Sequence, residues 1–279
     1  MAQYPVHNEY LWKDSSFSKE EKQPAILGIQ IEGPQGRIFS TFFQAGGDGD
    51  HATILLCHGF PGNDRMLDAA QAFQRAGFHV MTFHYSGSWG SDGSYRMVNC
   101  IAVTNRVLDY LLQHAEELGI DSDRLYLYGH SLGGFVALHV FSQRKELKKG
   151  VIVSPANPAA LLQEGQKDRQ AAKEILEEME DGCRWLSGVQ AKDLVDEIKR
   201  NYDKLEFTHL AEDLADRPLF LAGALEDVVT PPAQHIQPVL SALDRIPHPQ
   251  FRYETFQTDH HYLTSRISII SKAAEFYEK

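Results

Sequence analysis

From Ala25 onward, eight short runs of β-forming residues alternate with stretches of helical period, and this rhythm restricts the chain more than any other feature. Ala25–Gly33 and Arg37–Phe43, separated by Gly33-Pro34-Gln35-Gly36, predict an opening hairpin. Thr53–Cys57 (TILLC) is continuously apolar, as a strand buried on both faces should be. Leu67–Ala76 reads as a helix closed by Gly77, His79–Tyr85 as a strand, and Val98–Leu118 as a long helix ending at Gly119. Strand Arg124–Gly129, helix Leu132–Gln143 and strand Gly150–Ser154 follow. The rhythm stops after Pro155 and returns with strand Pro218–Ala222, a helix over about Pro232–Leu243, strand Gln250–Phe256 and a last helix Tyr262–Tyr277. These elements predict an α/β fold with a mostly parallel sheet of about eight strands flanked by helices. Residues 1–155 and 216–279 form one core domain, and residues 156–215 a helical insertion too long for an ordinary connection.

Gly129-His130-Ser131-Leu132-Gly133 carries the strongest chemical signal. It is G-x-S-x-G, placed directly after a strand and opening a helix. A serine in so sharp a turn is held in a strained backbone conformation, and a side chain at either flanking glycine would collide across it. A serine hydroxyl is a weak nucleophile until a base removes its proton, so an acid and then a histidine are expected downstream. Asp227 sits at the turn after Pro218–Ala222, before a helix that Pro231 or Pro232 could start, and Glu226 is the alternative acid. Gln257-Thr258-Asp259-His260-His261-Tyr262 occupies the loop before the last helix, where the general base belongs. Position singles out His260 and His261 among thirteen histidines. No third ligand stands at helix spacing from that pair, so no metal site is expected, and the chemistry requires no cofactor. His58-Gly59-Phe60-Pro61-Gly62 follows the third strand, where the amide of Phe60 could join that of Leu132 in holding an oxyanion. His58 itself is read as a brace for that loop through its ring nitrogens.

Together these residues resemble the α/β-hydrolase superfamily, over nearly the whole span from Ala25 to Tyr277. Its members often show H-G-[FGW] after the third strand, G-x-S-x-G after the fifth, D-x-x-x-P-P late in the chain, and D-H-x-[FY] before the last helix. Asp259-His260-His261-Tyr262 matches the last pattern, and so the resemblance favours His260 over His261. Tyr85 to Gly93 looks like the family's Y-R-G-x-G-x-S-x-G loop, with Ser86 where the arginine usually stands. The chain is similar to lidded carboxylesterases, including cinnamoyl and feruloyl esterases, and to acylaminoacyl-peptidase-like hydrolases. The resemblance implies a serine hydrolase with Ser131 as nucleophile, His260 as base and Asp227 as acid. Its expected substrates are carboxylic esters of small to medium acyl groups. Amidase action or acyl transfer with the same triad, and a non-catalytic receptor on the same fold, are the alternatives.

In this superfamily an insertion at residues 156–215 would be a lid over the serine. Trp185, Leu186, Tyr202 and Phe207 are the candidates for its inner face. The insertion holds 14 acidic and 8 basic side chains, about half of the chain's net charge of −11. That balance, without a basic stripe anywhere, argues against nucleic-acid partners and against strongly anionic substrates approaching from the lid side. The substrate that the resemblance implies is a small ester or amide. Three scattered cysteines suit idle thiols in a reducing compartment. With a polar N-terminal stretch and no apolar run long enough for a membrane span, the expected location is the cytoplasm.

Overall fold

The computed structural model describes residues 2–64, 66–247 and 251–279. Its centre is an eight-stranded sheet in the order β1-β2-β4-β3-β5-β6-β7-β8. The strands are β1 (Ala25–Gly33), β2 (Gly36–Gln44), β3 (His51–Cys57), β4 (His79–Phe83), β5 (Ile120–His130), β6 (Leu147–Val153), β7 (Leu219–Ala224) and β8 (Phe251–Phe256). β2 runs antiparallel to both of its neighbours, and all later pairings are parallel. The opening hairpin pairs Gly33 with Gly36, as its turn residues predict. Gly36 sits at φ +105°, a conformation glycine adopts at little cost. All seven residues of β3 are buried, because helices cover both faces of the sheet there.

The helices are α1 (Leu67–Arg75), α2 (Met97–Gln113), α3 (Ala115–Leu118), α4 (Leu132–Gln143), α5 (Pro158–Lys167), α6 (Arg169–Cys183), α7 (Ala191–Arg200), α8 (Tyr202–Leu205), α9 (Ala211–Leu214), α10 (Pro232–His235), α11 (Gln237–Leu243) and α12 (Arg266–Glu278). Two apolar clusters result, one per face of the sheet. One gathers α2, α4 and α11 with the inner sides of α6 and α7. The other packs α1 and α12 beneath Tyr126, Tyr128 and Phe220. Chain order thus reverses about β3, which lies between β4 and β5. In an open parallel sheet such a switch point leaves a crevice at the carboxyl ends of the strands.

Three helix boundaries differ from the expectation. The long helix expected over Val98–Leu118 is two, α2 and α3, parted at His114. The helix expected from Pro232 is broken at Ile236, since Pro238 has no N–H to continue the ladder. The last helix starts at Arg266 rather than Tyr262. Tyr262 takes φ +58°, and Asp259 folds the intervening loop by accepting from the amides of Tyr262 and Leu263. The expected start of the eighth strand, Gln250, lies outside the described residues. Between residues 156 and 215 the chain is mostly helical; the longest non-helical stretch, residues 184–190, carries a bridge between Ser88 and Leu186.

Candidate active site

Four loops meet at the carboxyl ends of β3, β5, β7 and β8. Ser131 lies between β5 and α4 at φ 56°, ψ −125°, the strained turn its motif requires. The glycines around it answer to packing. A Cβ on Gly133 would fall inside the carbonyl of Cys57 and 2.7 Å from that of His58. One on Gly129 would run into the carbonyl of Gly133 and lie 2.6 Å from Ala137 Cβ. The residue opposite is Gly59, where a Cβ would stand 3.1 Å from Ser131 Cβ. Strand β3, the turn and α4 can therefore close on one another only if positions 129 and 133 lack side chains, and a side chain at position 59 would crowd the serine.

Asp227 and His260 form a buried pair, with Asp227 Oδ2 2.7 Å from His260 Nδ1. Asp227 Oδ1 accepts from the amides of Val229 and Thr230, at 2.9 and 2.7 Å. Thr230 Oγ1 stands 2.9 Å from Asp227 Oδ2, 3.1 Å from His260 Nδ1 and 3.1 Å from the Ser154 carbonyl. Burial raises the pKa of Asp227, but the bond from His260, its positive charge and the donors from Thr230 outweigh that and hold it at about 2. In the neutral imidazole, an ionised carboxylate at Nδ1 keeps the N–H on that nitrogen and leaves Nε2 of His260 as the acceptor.

His260 and Ser131 both line a cavity of about 320 Å³. Its floor includes Gly59, Phe60 and Leu132, and its roof Leu161 of α5 with Ile175, Glu178 and Met179 of α6. Leu132 opens α4, so its N–H is one of the first-turn donors that have no acceptor within the helix. The Phe60 loop is held from three sides. His58 Nδ1 bonds the Gly59 carbonyl at 2.7 Å, Tyr85 Oη donates to the His58 carbonyl at 3.1 Å, and Trp89 Nε1 donates to the Pro61 carbonyl at 2.6 Å. His58 thus has the bracing role read for it, and Tyr85 and Trp89 brace the loop in a chain that carries Ser86 in place of arginine. Asn157 ties α5 to the core: its Oδ1 caps Ala159 and Ala160, and its own amide donates to His235 Nδ1 at 2.8 Å.

A family model for the alpha/beta hydrolase fold matches residues 52–181. An uncharacterized 31.7 kDa protein of the traX-finO intergenic region of Escherichia coli is 29% identical over 228 residues, covering 70% of this chain and 79% of that protein. A proline iminopeptidase of Flavobacterium johnsoniae is 28% identical over 159 residues, 55% of this chain and 52% of that protein. Among solved structures, an esterase of Pyrococcus furiosus superposes with a TM-score of 0.67 at 17% identity, covering 91% of each chain. An acylaminoacyl peptidase of Pyrococcus horikoshii gives 0.69 at 15% identity, over 92% of this chain and 42% of that one. The chain is an α/β-hydrolase-fold protein.

Within this α/β-hydrolase fold, Ser131, Asp227, His260, Phe60 and Leu132 come together. Of the alternates, Glu226 is exposed and accepts from Gln257 Nε2, while His261 lines the same cavity from an exposed position at its rim. Of the four side chains expected on the inner face of residues 156–215, Trp185 lines the cavity, 62% exposed and stacked on Trp89 with ring centroids 6.0 Å apart. The other three differ from the expectation. Phe207 is fully buried in the core cluster, Leu186 packs against that cluster, and Tyr202 accepts a hydrogen bond from Gln163 Nε2. The α/β-hydrolase roof is instead built from Leu161, Ile175 and Met179, whose helical spacing resembles that of any core-facing residue. His130 and Thr230 also escape a motif reading. His130 Nε2 bonds the His260 carbonyl at 2.8 Å, and burial, reinforced by nearby His260, lowers its pKa to about 3 and so keeps it neutral. Its place beside the serine was visible, but its partner lies 130 residues away. All three cysteines are free and buried, and burial pushes the Cys57 thiol up to about 12. Among the described residues no group of three or more His, Cys, Asp or Glu is placed to hold a metal, and no helix is long and apolar enough to cross a membrane.

Proposed function

We propose that this protein is a serine hydrolase that cleaves carboxylic esters of small to medium acyl groups. The observation that carries the reading is the buried Asp227–His260 pair, 2.7 Å apart, whose His260 lines the same cavity as a strained Ser131. Ser131 Oγ attacks the substrate carbonyl while His260 Nε2 takes its proton, and Asp227 stabilises the resulting imidazolium. The amides of Phe60 and Leu132 hold the oxyanion. The tetrahedral intermediate collapses, His260 returns its proton to the departing alkoxide, and an alcohol leaves. Water, deprotonated by His260, then attacks the acyl-serine; the acyl–Oγ bond breaks, His260 returns the proton to Ser131 Oγ, and the carboxylic acid is released. Residues 156–215 serve as the lid, with Leu161, Ile175 and Met179 excluding water from the acyl-enzyme.

Amide cleavage by the same triad is the second reading, favoured by the likeness to proline iminopeptidase. Turnover of a panel of p-nitrophenyl esters and peptide anilides separates the two. Esters are expected to react faster, and Ser131→Ala to lower kcat by about 10⁴ or more. Anilides cleaved faster than esters would reverse the assignment. Full turnover by Ser131→Ala would end it.

A further inference from the structure

Behind the roof of the catalytic cavity lies a second cavity of about 200 Å³, bordered by α5, α6 and α7 and partly open to solvent. Leu161, Ile175 and Met179 line both, so the wall between them is one layer of side chains thick. The second cavity is predominantly apolar: Leu162, Ala172, Val195 and Ile198 complete most of it, with Gln166 and Lys199 among its polar residues. Its origin is legible in the helices. Ala172, Ile175 and Met179 share one face of α6, and Val195, Ile198 and Lys199 one face of α7. Gly165 and Ala172 meet where α5 crosses α6, and a Cβ on Gly165 would stand 3.3 Å from Ala172 Cα. Two small residues let the helices approach there and leave the neighbouring volume unfilled. Met179, a flexible thioether side chain, is suited to swing out of such a wall.

We propose that this second cavity is an acyl-chain chamber, which receives the distal end of an aliphatic chain whose carbonyl lies at Ser131. The proposal rests on the acyl-transfer reading of Ser131 and extends its substrates from short acyl groups to chains that outgrow the first cavity. Shared wall residues give the chain its route, and the apolar lining gives each buried methylene about a fourfold gain in binding. The gain belongs to the acyl side, because a chain in the chamber helps only while its carbonyl remains at the serine.

The test is kcat/KM for p-nitrophenyl esters from acetate to dodecanoate, with the wild type, Val195→Trp and Ala172→Leu. Both substitutions fill the chamber, from α7 and from α6, and neither residue lines the first cavity. The wild type is expected to prefer decanoate to butyrate, and each variant to lower that ratio by about tenfold or more. Met179→Ala, which thins the wall, is expected to raise it. Because the readout is a ratio within one preparation, partial loss of folded protein leaves it intact. Val195→Trp and Ala172→Leu that both keep the wild-type ratio would overturn the chamber while leaving Ser131 chemistry standing. Ser131-independent turnover at every chain length would instead remove the reading on which the chamber rests.

Discussion

Asp227 keeps its charge in a nearly dry setting because four donors converge on two oxygens: the amides of Val229 and Thr230, the Thr230 hydroxyl and the ring of His260. Asparagine there would preserve the shape but present no anion to the imidazolium, so Asp227→Asn is expected to lower kcat on the order of 10⁴-fold. Glu226→Gln removes the charge of an exposed carboxylate bonded to Gln257 and should leave kcat within about twofold. The same contrast separates the adjacent histidines. His260→Ala should abolish ester turnover, whereas His261→Ala should keep at least about a third of it, because among the described residues no acid is paired with His261. Comparable losses in the two variants would contradict the pairing seen at 2.7 Å. Thr230 touches Asp227, His260 and the Ser154 carbonyl at once. Thr230→Val keeps the volume and should lower kcat by about tenfold, the equivalent of one hydrogen bond to a charged group.

At the scale of elements, the turn from β5 into α4 is the most constrained place in the fold. Gly133→Ala would place a methyl inside the Cys57 carbonyl, forcing β3 and α4 apart at a cost of about 3 kcal/mol. A lowered urea midpoint with unchanged slope is the expected result, and a midpoint equal to the wild type would contradict the packing. This element was legible in the chain because its signal is local: a strand, a G-x-S-x-G turn and a helix within twenty residues. The hairpin was legible for the same reason, through Gly33-Pro34-Gln35-Gly36. The proposed base for Ser131 was only half legible. Asp259-His260-His261-Tyr262 marked the loop, but the choice of histidine depends on a turn built by Asp259 and on Tyr262 at φ +58°. The roof was not legible. Trp185 and Phe207 are equally aromatic in sequence, yet one is 62% exposed over the cavity and the other fully buried, because helix register in residues 156–215 is decided by long-range packing.

For the whole molecule, buried neutral histidines govern the response to acid. Burial lowers the pKa of His130 to about 3 and those of His139 and His235 to about 4, and it takes His79 well below its usual value. Nδ1 of His235 and of His79 accepts a backbone amide proton, from Asn157 and Ala45, so neither can charge without losing that bond. An unfolded chain protonates these groups near pH 6.5, and the folded one only several units lower. Between about pH 4 and 6.5 the unfolded state therefore binds more protons, and stability rises with pH through that window before levelling above it. Each group adds about 1.4 kcal/mol per pH unit where the unfolded form is charged and the folded form is not. Urea midpoints should fall steeply from pH 6.5 to 5, and flat midpoints across that range would contradict the burial of these rings. At this scale the proposed function draws on four loops at one end of the sheet, with residues of the proposed lid, Leu161, Ile175 and Met179, lining the same cavity. The most direct test of the central claim is covalent capture. The protein is treated with a fluorophosphonate, and the adduct is mapped by mass spectrometry in the wild type and in His260→Ala. The account predicts one adduct, on Ser131, whose formation slows by orders of magnitude without His260. An unlabelled Ser131, or equal labelling in the two proteins, would contradict it.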